Sequence, residues 1–555
     1  MNRRQLLLLG LSAPLARLAR FFPEWPAVLR MFADLKHTGT LTEQPAAFPP
    51  AATDFGIAVP LPSMHADRDV LPEKDANGAG IVERLGRLRV ETDAGEELVA
   101  VIKGENTGAL RLFRKSGDGW RRVSSDTDVS WRLTPDETGV LELGVAVVLP
   151  EAVTGPDEPA WPRAFTFEIG TKSNSARRAP FRVAPYIIPC ALDPVDEIWI
   201  VSRSNTIDSV KAVEVFAARA GLALHIHQER EPCDQWIQDT IEPGLFTFPT
   251  TRGTEQVRGV LTGMRKEFGG RAAGLDQQIA DRLRERGEVA VVPGVPRKLT
   301  RWIDWYGNLE ATPRHTDRRG KRFPYGRVIT GKQRELAMHP GVMRFLEAQG
   351  IQWPPIVVDT SWLTIGHVDE VVNFVPAKTA LGYKVLLPSP KAARDLLDAL
   401  VSKKLGETAV FADTRDMTTV SALRERVAGS EENLAIDEAI ARVREQLKAE
   451  LNLQDADFVM LPALFNRGRA LIPNAVNCLV ANGYVAISEP RGPRHDGKDL
   501  FEDAIREALA PCGVQVVFID TWGGYHVAAG EIHCGTNTFR RLRDAAWWTH
   551  EVGAM

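Results

Sequence analysis

The sequence predicts a multidomain α+β chain, a β-sandwich followed by one large α/β domain. Three observations carry that expectation. Short apolar runs, several of them alternating with period two, recur between residues 87 and 169 with turn residues between them. From Glu197 onward, β-rich runs alternate instead with stretches of helical periodicity. The 555 residues, 44% hydrophobic and 25% charged, are enough chain for several domains and a sizeable core. That composition excludes a disordered or collagen-like protein. The balance of 68 basic against 72 acidic side chains leaves no electrostatic footprint for nucleic acid or an acidic membrane surface. No apolar run reaches the roughly 18 to 20 residues of a spanning helix.

Taken in order, Met1-Asn2-Arg3-Arg4 precedes the apolar run 6–11 and small residues at Ser12, Ala13 and Ala16. Residues 1–25 therefore have the shape of a bacterial export signal of the twin-arginine type, with periplasmic or secreted location as its consequence. Arg17 and Arg20 also fit a plain amphipathic helix on a cytoplasmic protein. Pro45, Pro49, Pro50, Pro60 and Pro62 predict a Pro/Ala-rich linker over 26–62, because proline fixes φ and removes donors. Strand candidates at 87–92, 98–103, 109–113, 129–133, 141–149 and 164–169 make 63–185 the sandwich, with Ser116-Gly117-Asp118-Gly119 as one of its turns. Within 186–555, strands at 198–201, 289–292, 357–358, 371–375, 384–387, 485–487 and 514–519 alternate with helices. The helices are expected at 210–220, 275–286, 342–349, 392–400, 433–451 and 500–509. In 433–451, Ile436, Ala439, Ile440, Val443 and Leu447 share a face, and Gly350 and Gly513 stand where a glycine closes a helix. No GxGxxG or Walker loop supports nucleotide binding.

Five cysteines (Cys190, Cys233, Cys478, Cys512, Cys534) are too few and scattered for a disulfide framework, and no CxxC suggests zinc. The odd count leaves at least one thiol without an intramolecular partner. Three segments are oddly polar for their apolar surroundings: 234–242, 362–370 and 530–537. The last places Cys534 among polar residues and a glycine, a setting in which a thiol can be accessible and ionised. Taken singly, a cysteine is usually a small core residue, a histidine a satisfied structural group, and Asp239 and Asp369 two solvated or paired carboxylates.

Read together, these segments resemble the protein-arginine deiminases. The matching stretches run in order from Phe181-Arg182-Val183-Ala184-Pro185 through Trp236-Ile237-Gln238-Asp239, Tyr306-Gly307-Asn308-Leu309-Glu310 and Tyr325-Gly326-Arg327. They continue with Gly366-His367-Val368-Asp369-Glu370, Phe374-Val375-Pro376-Ala377, Tyr525-His526, the stretch 530–537 and Trp547-Trp548. The resemblance implies a pentein-type catalytic domain over 186–555, a pseudo-fivefold α/β propeller of ββαβ units. It also implies that 63–185 is the family's immunoglobulin-like middle domain. Residues 1–62 are too short for the further N-terminal β domain of vertebrate members.

The resemblance further implies hydrolysis of peptidyl-arginine to peptidyl-citrulline and ammonia. Asp239 and Asp369 would accept the guanidinium N–H groups, Cys534 would attack as thiolate, and His367 would protonate the departing ammonia and then deprotonate water. Trp236 would pack along the arginine stem. An oxygen-only Ca²⁺ site would use Gln238, Glu242 and Glu310 with the carbonyls of Tyr306 and Leu309. The chain departs from the family in four places. Thr240 stands where a second calcium site has an acid, and the acidic run after Asp67-Arg68-Asp69 is depleted. Arg265 is the candidate for contact with the substrate backbone, but its segment matches poorly. Ala528 replaces an arginine six residues before the nucleophile. Rival readings are a pentein hydrolase of free arginine, agmatine or another small guanidino compound, and a non-catalytic exported binding protein. A cysteine protease is disfavoured, since paired carboxylates aimed at a cation do not suit a neutral amide.

Overall fold

The computed structural model describes residues 29–38, 40–44, 55–60, 70–71, 82–93, 96–117, 119–123, 130–148, 161–171, 176–228, 234–263, 275–286, 290–292 and 301–550. The expected export signal, Asp67, Asp69, Cys233 and Arg265 lie outside the described residues.

Period-two burial builds the N-terminal part. In Gly86–Glu91, Leu88 and Val90 are buried while Arg87, Arg89 and Glu91 turn outward. Leu98–Gly104 and Ala164–Thr171 follow the same rule through Leu98, Ala100, Ile102 and Phe165, Phe167, Ile169. A seven-stranded sheet runs in the order Thr42–Gln44, Arg30–Ala33, Gly86–Glu91, Val140–Val147, Leu110–Ser116, Gly119–Arg122, Val70–Leu71. A five-stranded sheet runs Gly56–Ala58, Arg177–Val183, Ala164–Thr171, Leu98–Gly104, Ser130–Leu133. The two sheets share one apolar core, in which Phe165 stacks on Phe181 at 5.1 Å between ring centres. Three of the strands correct the linker expected over 26–62. Arg30–Ala33 pairs with Gly86–Glu91, Thr42–Gln44 with Arg30–Ala33, and Gly56–Ala58 with Arg177–Val183. Their buried apolar signal is short, Met31 with Ala33 in the first and Ala58 beside Ile57 in the third, while Thr42–Gln44 carries none.

Beyond Pro185 the described strands form four two-stranded ribbons and five three-stranded sheets. In each, the middle strand has one antiparallel and one parallel neighbour. The sheets are Thr536–Arg540/Val195–Ser202/Ala223–Gln228, Ile241–Thr250/Gly253–Thr262/Ala290–Val292 and Glu310–Ala311/Val328–Lys332/Ile356–Asp359. The remaining two are Asn373–Pro376/Tyr383–Ser389/Phe458–Pro462 and Leu479–Ala481/Tyr484–Ser488/Gln515–Ile519. A parallel neighbour requires a crossover. The crossovers contain Ile207–Ala220, Leu275–Arg286, Pro340–Gln349, Pro390–Ser402 with Glu431–Leu451, and Leu500–Leu509. These are the six expected helices, longer by up to three residues at an end, and Gly350 ends its helix at φ 69°. The first of the five sheets closes with the last strand of the chain, since Thr536–Arg540 pairs with Val195–Ser202.

The hairpin Ile241–Thr250/Gly253–Thr262 was not anticipated. Nine of the ten residues in its first strand are buried, so no alternation marks it. Trp161 of the sandwich region packs on Phe246 of this hairpin and Phe345 of the third crossover helix, at 6.2 and 5.8 Å. Arg163 donates to the carbonyls of Glu347 and Ala348 at the end of that helix. The two regions thus share a continuous core. Among the described residues no helix is long and apolar enough to cross a membrane.

Candidate active site

Each of the five sheets has one outer strand entered from a short loop, and those loops build the site. Asp239, Asn308, Asn477 and Cys534 each stand two residues before the start of such a strand, at Ile241, Glu310, Leu479 and Thr536. His367 and Asp369 lie in the equivalent loop before Asn373. Repetition of one local geometry brings together residues separated by hundreds of positions.

The four residues expected to act together do converge. Cys534, His367, Asp239 and Asp369 are all at most 7% exposed. His367 Nδ1 lies 3.4 Å from Asp239 Oδ1, and Cys534 Sγ donates to Asp369 Oδ2 at 3.4 Å. His367 Nε2 is 2.7 Å from the Trp302 carbonyl. A carbonyl only accepts, so Nε2 carries a proton and Nδ1 is the nitrogen free to exchange one on the Asp239 side. Gly307 forms the wall between them. A β-carbon there would lie 2.5 Å from His367 Nδ1, 2.9 Å from Asp239 Oδ1 and 3.2 Å from Asp369 Oδ2. Three polar atoms therefore surround one bare α-carbon, and the Gly307 N–H also donates to Asp239 Oδ1 at 3.3 Å. Asp369 Oδ1 is buried and makes no hydrogen bond, an acceptor that only a ligand or water can satisfy. Trp236 stands beside this slot, its ring 5.5 Å from that of Tyr525 and against Gly530.

Asn477 holds the Cys534 loop, a role not read from the sequence. Its Oδ1 accepts from the Cys534 N–H at 3.2 Å, and its Nδ2 donates to the Asp369 carbonyl at 3.3 Å. His533 lies in the matching stretch 530–537, next to Cys534. Its Nδ1 meets Asp369 Oδ2 at 3.0 Å and its Nε2 approaches Glu310 Oε1 at 3.4 Å. Proximity to Cys534 was the one available signal for His533. Asn477 is singled out only by the repeated loop position, and Gly307 only by the polar atoms around its α-carbon.

The electrostatics follow from crowding carboxylates in a buried place. Burial, then Asp369, Asp239 and Glu370, push the Cys534 thiol well above its ordinary value of 9.0. Burial and Asp369 likewise push Glu370 up. Cys534 is therefore held as a thiol, and positive charge entering the slot would favour its ionisation.

Gln238, Glu242, Tyr306 and Glu310 form a second cluster beside the first. Gln238 Nε2 is 3.4 Å from Glu242 Oε2 and 3.3 Å from the Tyr306 carbonyl. Burial and then Glu310 push Glu242 well up, and burial raises Glu310 to about 7. Glu310 Oε1 is buried and makes no hydrogen bond. Leu309 precedes Glu310 and is fully buried. Among the described residues no group of three His, Cys, Asp or Glu side chains has a metal-holding arrangement, and this cluster has only two carboxylates. Thr240 is buried and its hydroxyl donates to the Trp236 carbonyl, so it offers no acid here. Ala528 is exposed and supplies no cation at the slot's rim.

The fold and site define a class: a buried cysteine, histidine and two carboxylates set on the loops of five repeated α/β sheets. The sequence places it more closely. Residues 175–549 match the model of the family described as protein-arginine deiminase (PAD), and the chain belongs to that family. It is 32% identical over 393 residues to protein-arginine deiminase type-4 of Mus musculus, covering 66% of this chain and 56% of that protein. It is 33% identical over 390 residues to type-3 of the same organism, covering 67% and 56%. The chain thus spans little more than half the length of these relatives. Among solved structures, the agmatine deiminase of C. jejuni overlaps at a TM-score of 0.37 and 12% identity, covering 64% of this chain and 96% of that one.

Proposed function

We propose that the protein hydrolyses the guanidinium of arginine within peptides or proteins, giving citrulline and ammonia, with assistance from calcium. The observation that carries this reading is the slot at Gly307. Asp239 Oδ1, Asp369 Oδ2 and His367 Nδ1 ring a space that only glycine leaves open, with Cys534 Sγ on the same Asp369 oxygen. Two buried carboxylates suit a planar cation with several N–H donors. The family resemblance supplies the same substrate class.

The chemistry then runs on this chain's own groups. A guanidinium held by Asp239 and Asp369 offsets the charge that keeps Cys534 protonated, and its proton passes to His367 Nδ1. The thiolate forms a C–S bond to the guanidinium carbon. A C–N bond breaks as His367 Nδ1–H gives its proton to the leaving amine, which departs as ammonia. Water then attacks the carbon, losing its proton to Nδ1, and the C–S bond breaks to leave the ureido group. Throughout, Trp302 holds Nε2–H and Asp239 faces the charged imidazole. Trp236 and Tyr525 flank the aliphatic stem.

Gln238, Glu242 and Glu310, with the Tyr306 and Leu309 carbonyls, would hold the calcium. A Glu310 oxygen without a hydrogen bond and two carboxylates pushed up chiefly by burial, Glu242 by Glu310 as well, fit a hard cation with oxygen ligands. Bound there, the ion supplies fixed positive charge and a rigid anchor for the loop that carries Gly307. The five sheets are read as the pseudo-fivefold pentein ring, and the two-sheet region as the family's immunoglobulin-like middle domain. Export through residues 1–25 belongs to the same reading and is checked by cell fractionation.

The direct test incubates the purified chain with an N-acylated arginine peptide, with calcium or with chelator, and uses mass spectrometry to detect NH replaced by O. Conversion that vanishes in Cys534→Ser supports the reading. Turnover of free arginine or agmatine, with none of the peptide, overturns it in favour of a small-substrate hydrolase.

A further inference from the structure

His533 sits at a junction that the proposed chemistry leaves unused. It immediately precedes the nucleophile, and its main chain is fixed by donation from its N–H to the Asn477 carbonyl at 3.4 Å and by acceptance from Thr536 N at 3.0 Å. Its side chain is 17% exposed and reaches two acids from two different sheets. Nδ1 hydrogen-bonds Asp369 Oδ2 at 3.0 Å, the same oxygen that receives Cys534 Sγ–H. Nε2 is 3.4 Å from Glu310 Oε1, an ion-pair distance without hydrogen-bond alignment. One rigid ring thus touches the guanidinium slot at one nitrogen and the Glu242–Glu310 cluster at the other.

We propose that His533 is a positioning residue that couples the cation cluster to the guanidinium slot, so that filling either one tightens binding at the other. This rests on the proposed function. Without a metal, Glu310 and Asp369 share a single ring, and neither carboxylate has its geometry fixed by it alone. A divalent cation drawing Glu310 into its coordination shell leaves the ring committed to Asp369. That holds Oδ2 where a guanidinium N–H and the thiol both need it. Because the ring is planar and its two nitrogens point in fixed directions, displacement at one end is felt at the other without any large movement. The coupling is a free energy between two sites, so it must be reciprocal: arginine peptide tightens calcium by the factor with which calcium tightens peptide.

Two isosteric variants separate the ends of the bridge. In His533→Asn the amide nitrogen falls near the place of Nδ1 and keeps the contact with Asp369. In His533→Gln it falls near the place of Nε2 and keeps the contact with Glu310. Calorimetric titrations of calcium and of an N-acylated arginine amide, each with and without the other, are run on full-length Cys534→Ala, which binds without turnover. The parent is expected to show mutual tightening of about fivefold or more. Both variants are expected to bring that factor close to one. The Gln variant keeps its calcium affinity within about twofold and loses peptide affinity; the Asn variant does the reverse. Tightening of parental size in both variants overturns the coupling alone. A parent that binds neither ligand overturns the functional reading and the coupling with it. Should the variants not fold, ¹⁵N-histidine spectra of the parent decide the matter. Both ligands must shift the same His533 resonances, and a ligand that leaves them in place sinks the idea.

Discussion

Two pairs of carboxylates lie side by side in this molecule and behave differently. Asp239 and Asp369 stand in a slot furnished with donors: the Gly307 N–H, the His533 ring and the Cys534 thiol each address one of their oxygens. Glu242 accepts from one amide nitrogen, and Glu310 keeps a buried oxygen without a hydrogen bond, with only the His533 ring at ion-pair distance. Glu310 is pushed up to about 7 by burial, and Glu242 is raised by burial and then by Glu310. The lesson is that surroundings suit identical functional groups to different cations. A ring of directional donors with a flat gap between them suits a planar organic cation. A pair of under-satisfied oxygens beside carbonyls suits a spherical inorganic one.

That contrast can be broken at several points, and the sharpest is the nucleophile. Cys534→Ser is expected to lower citrulline formation by about 10⁴-fold or more while calcium binding stays unchanged, because the hydroxyl cannot be ionised in this carboxylate-rich place. Next, Asp369→Asn keeps the shape of the slot but removes its charge, and kcat/KM should fall by about 10³-fold. If calcium affinity in that variant collapsed as deeply as activity, the two carboxylate pairs would be one site and the contrast would be lost. Glu310→Gln tests the other side. It should raise the calcium needed for half-activity about tenfold, with most of kcat recovered at saturation. A fourth check uses pH. Since burial and three carboxylates raise the thiol, Cys534 is protonated below its own elevated pKa and ionises only above it. Alkylation by neutral iodoacetamide should be slower than for a free thiol at pH 7.5 and still be climbing above pH 9. A cationic haloacetamidine should react at least about tenfold faster at pH 7.5. A neutral reagent with a plateau near pH 7 would falsify the resting-thiol assignment. The smallest effect on catalysis belongs to the sandwich. Phe181→Ala should cost about 3–5 kcal/mol in denaturant unfolding yet leave KM within about twofold.

The sequence made the sandwich and the crossover helices legible for a physical reason. A strand with one wet face alternates, as Leu88 and Val90 do against Arg87 and Arg89, and an amphipathic helix repeats, as Ile436, Ile440, Val443 and Leu447 do. The hairpin 241–262 was missed because burial on both faces erases that signal. Strands as short as Glu310–Ala311 have too few residues to carry a period at all. The site divided along similar lines. Cys534, His367, Asp239 and Asp369 were found from motifs whose order and spacing match a family. Gly307, Asn477 and His533 serve through where their loops meet, and no linear pattern encodes a meeting point. The twofold pairing of Met31 and Ala33 in a proline-rich stretch shows the same limit, since only the partner strand makes them a strand.

The pairing of the final strand, Thr536–Arg540, with Val195–Ser202 has a consequence for the life of the chain before it is finished. Asp239 leaves the ribosome 295 residues ahead of Cys534, a delay of about 15–60 s at ordinary elongation rates. Throughout that interval the slot lacks its sulfur, and the strand that will deliver it does not yet exist. On the proposed function, synthesis order therefore acts as a safety catch: a nascent or prematurely ended chain lacks the sulfur that the reaction needs. Proteolytic loss of the same few residues from a finished molecule would silence it just as completely while sparing the other four sheets.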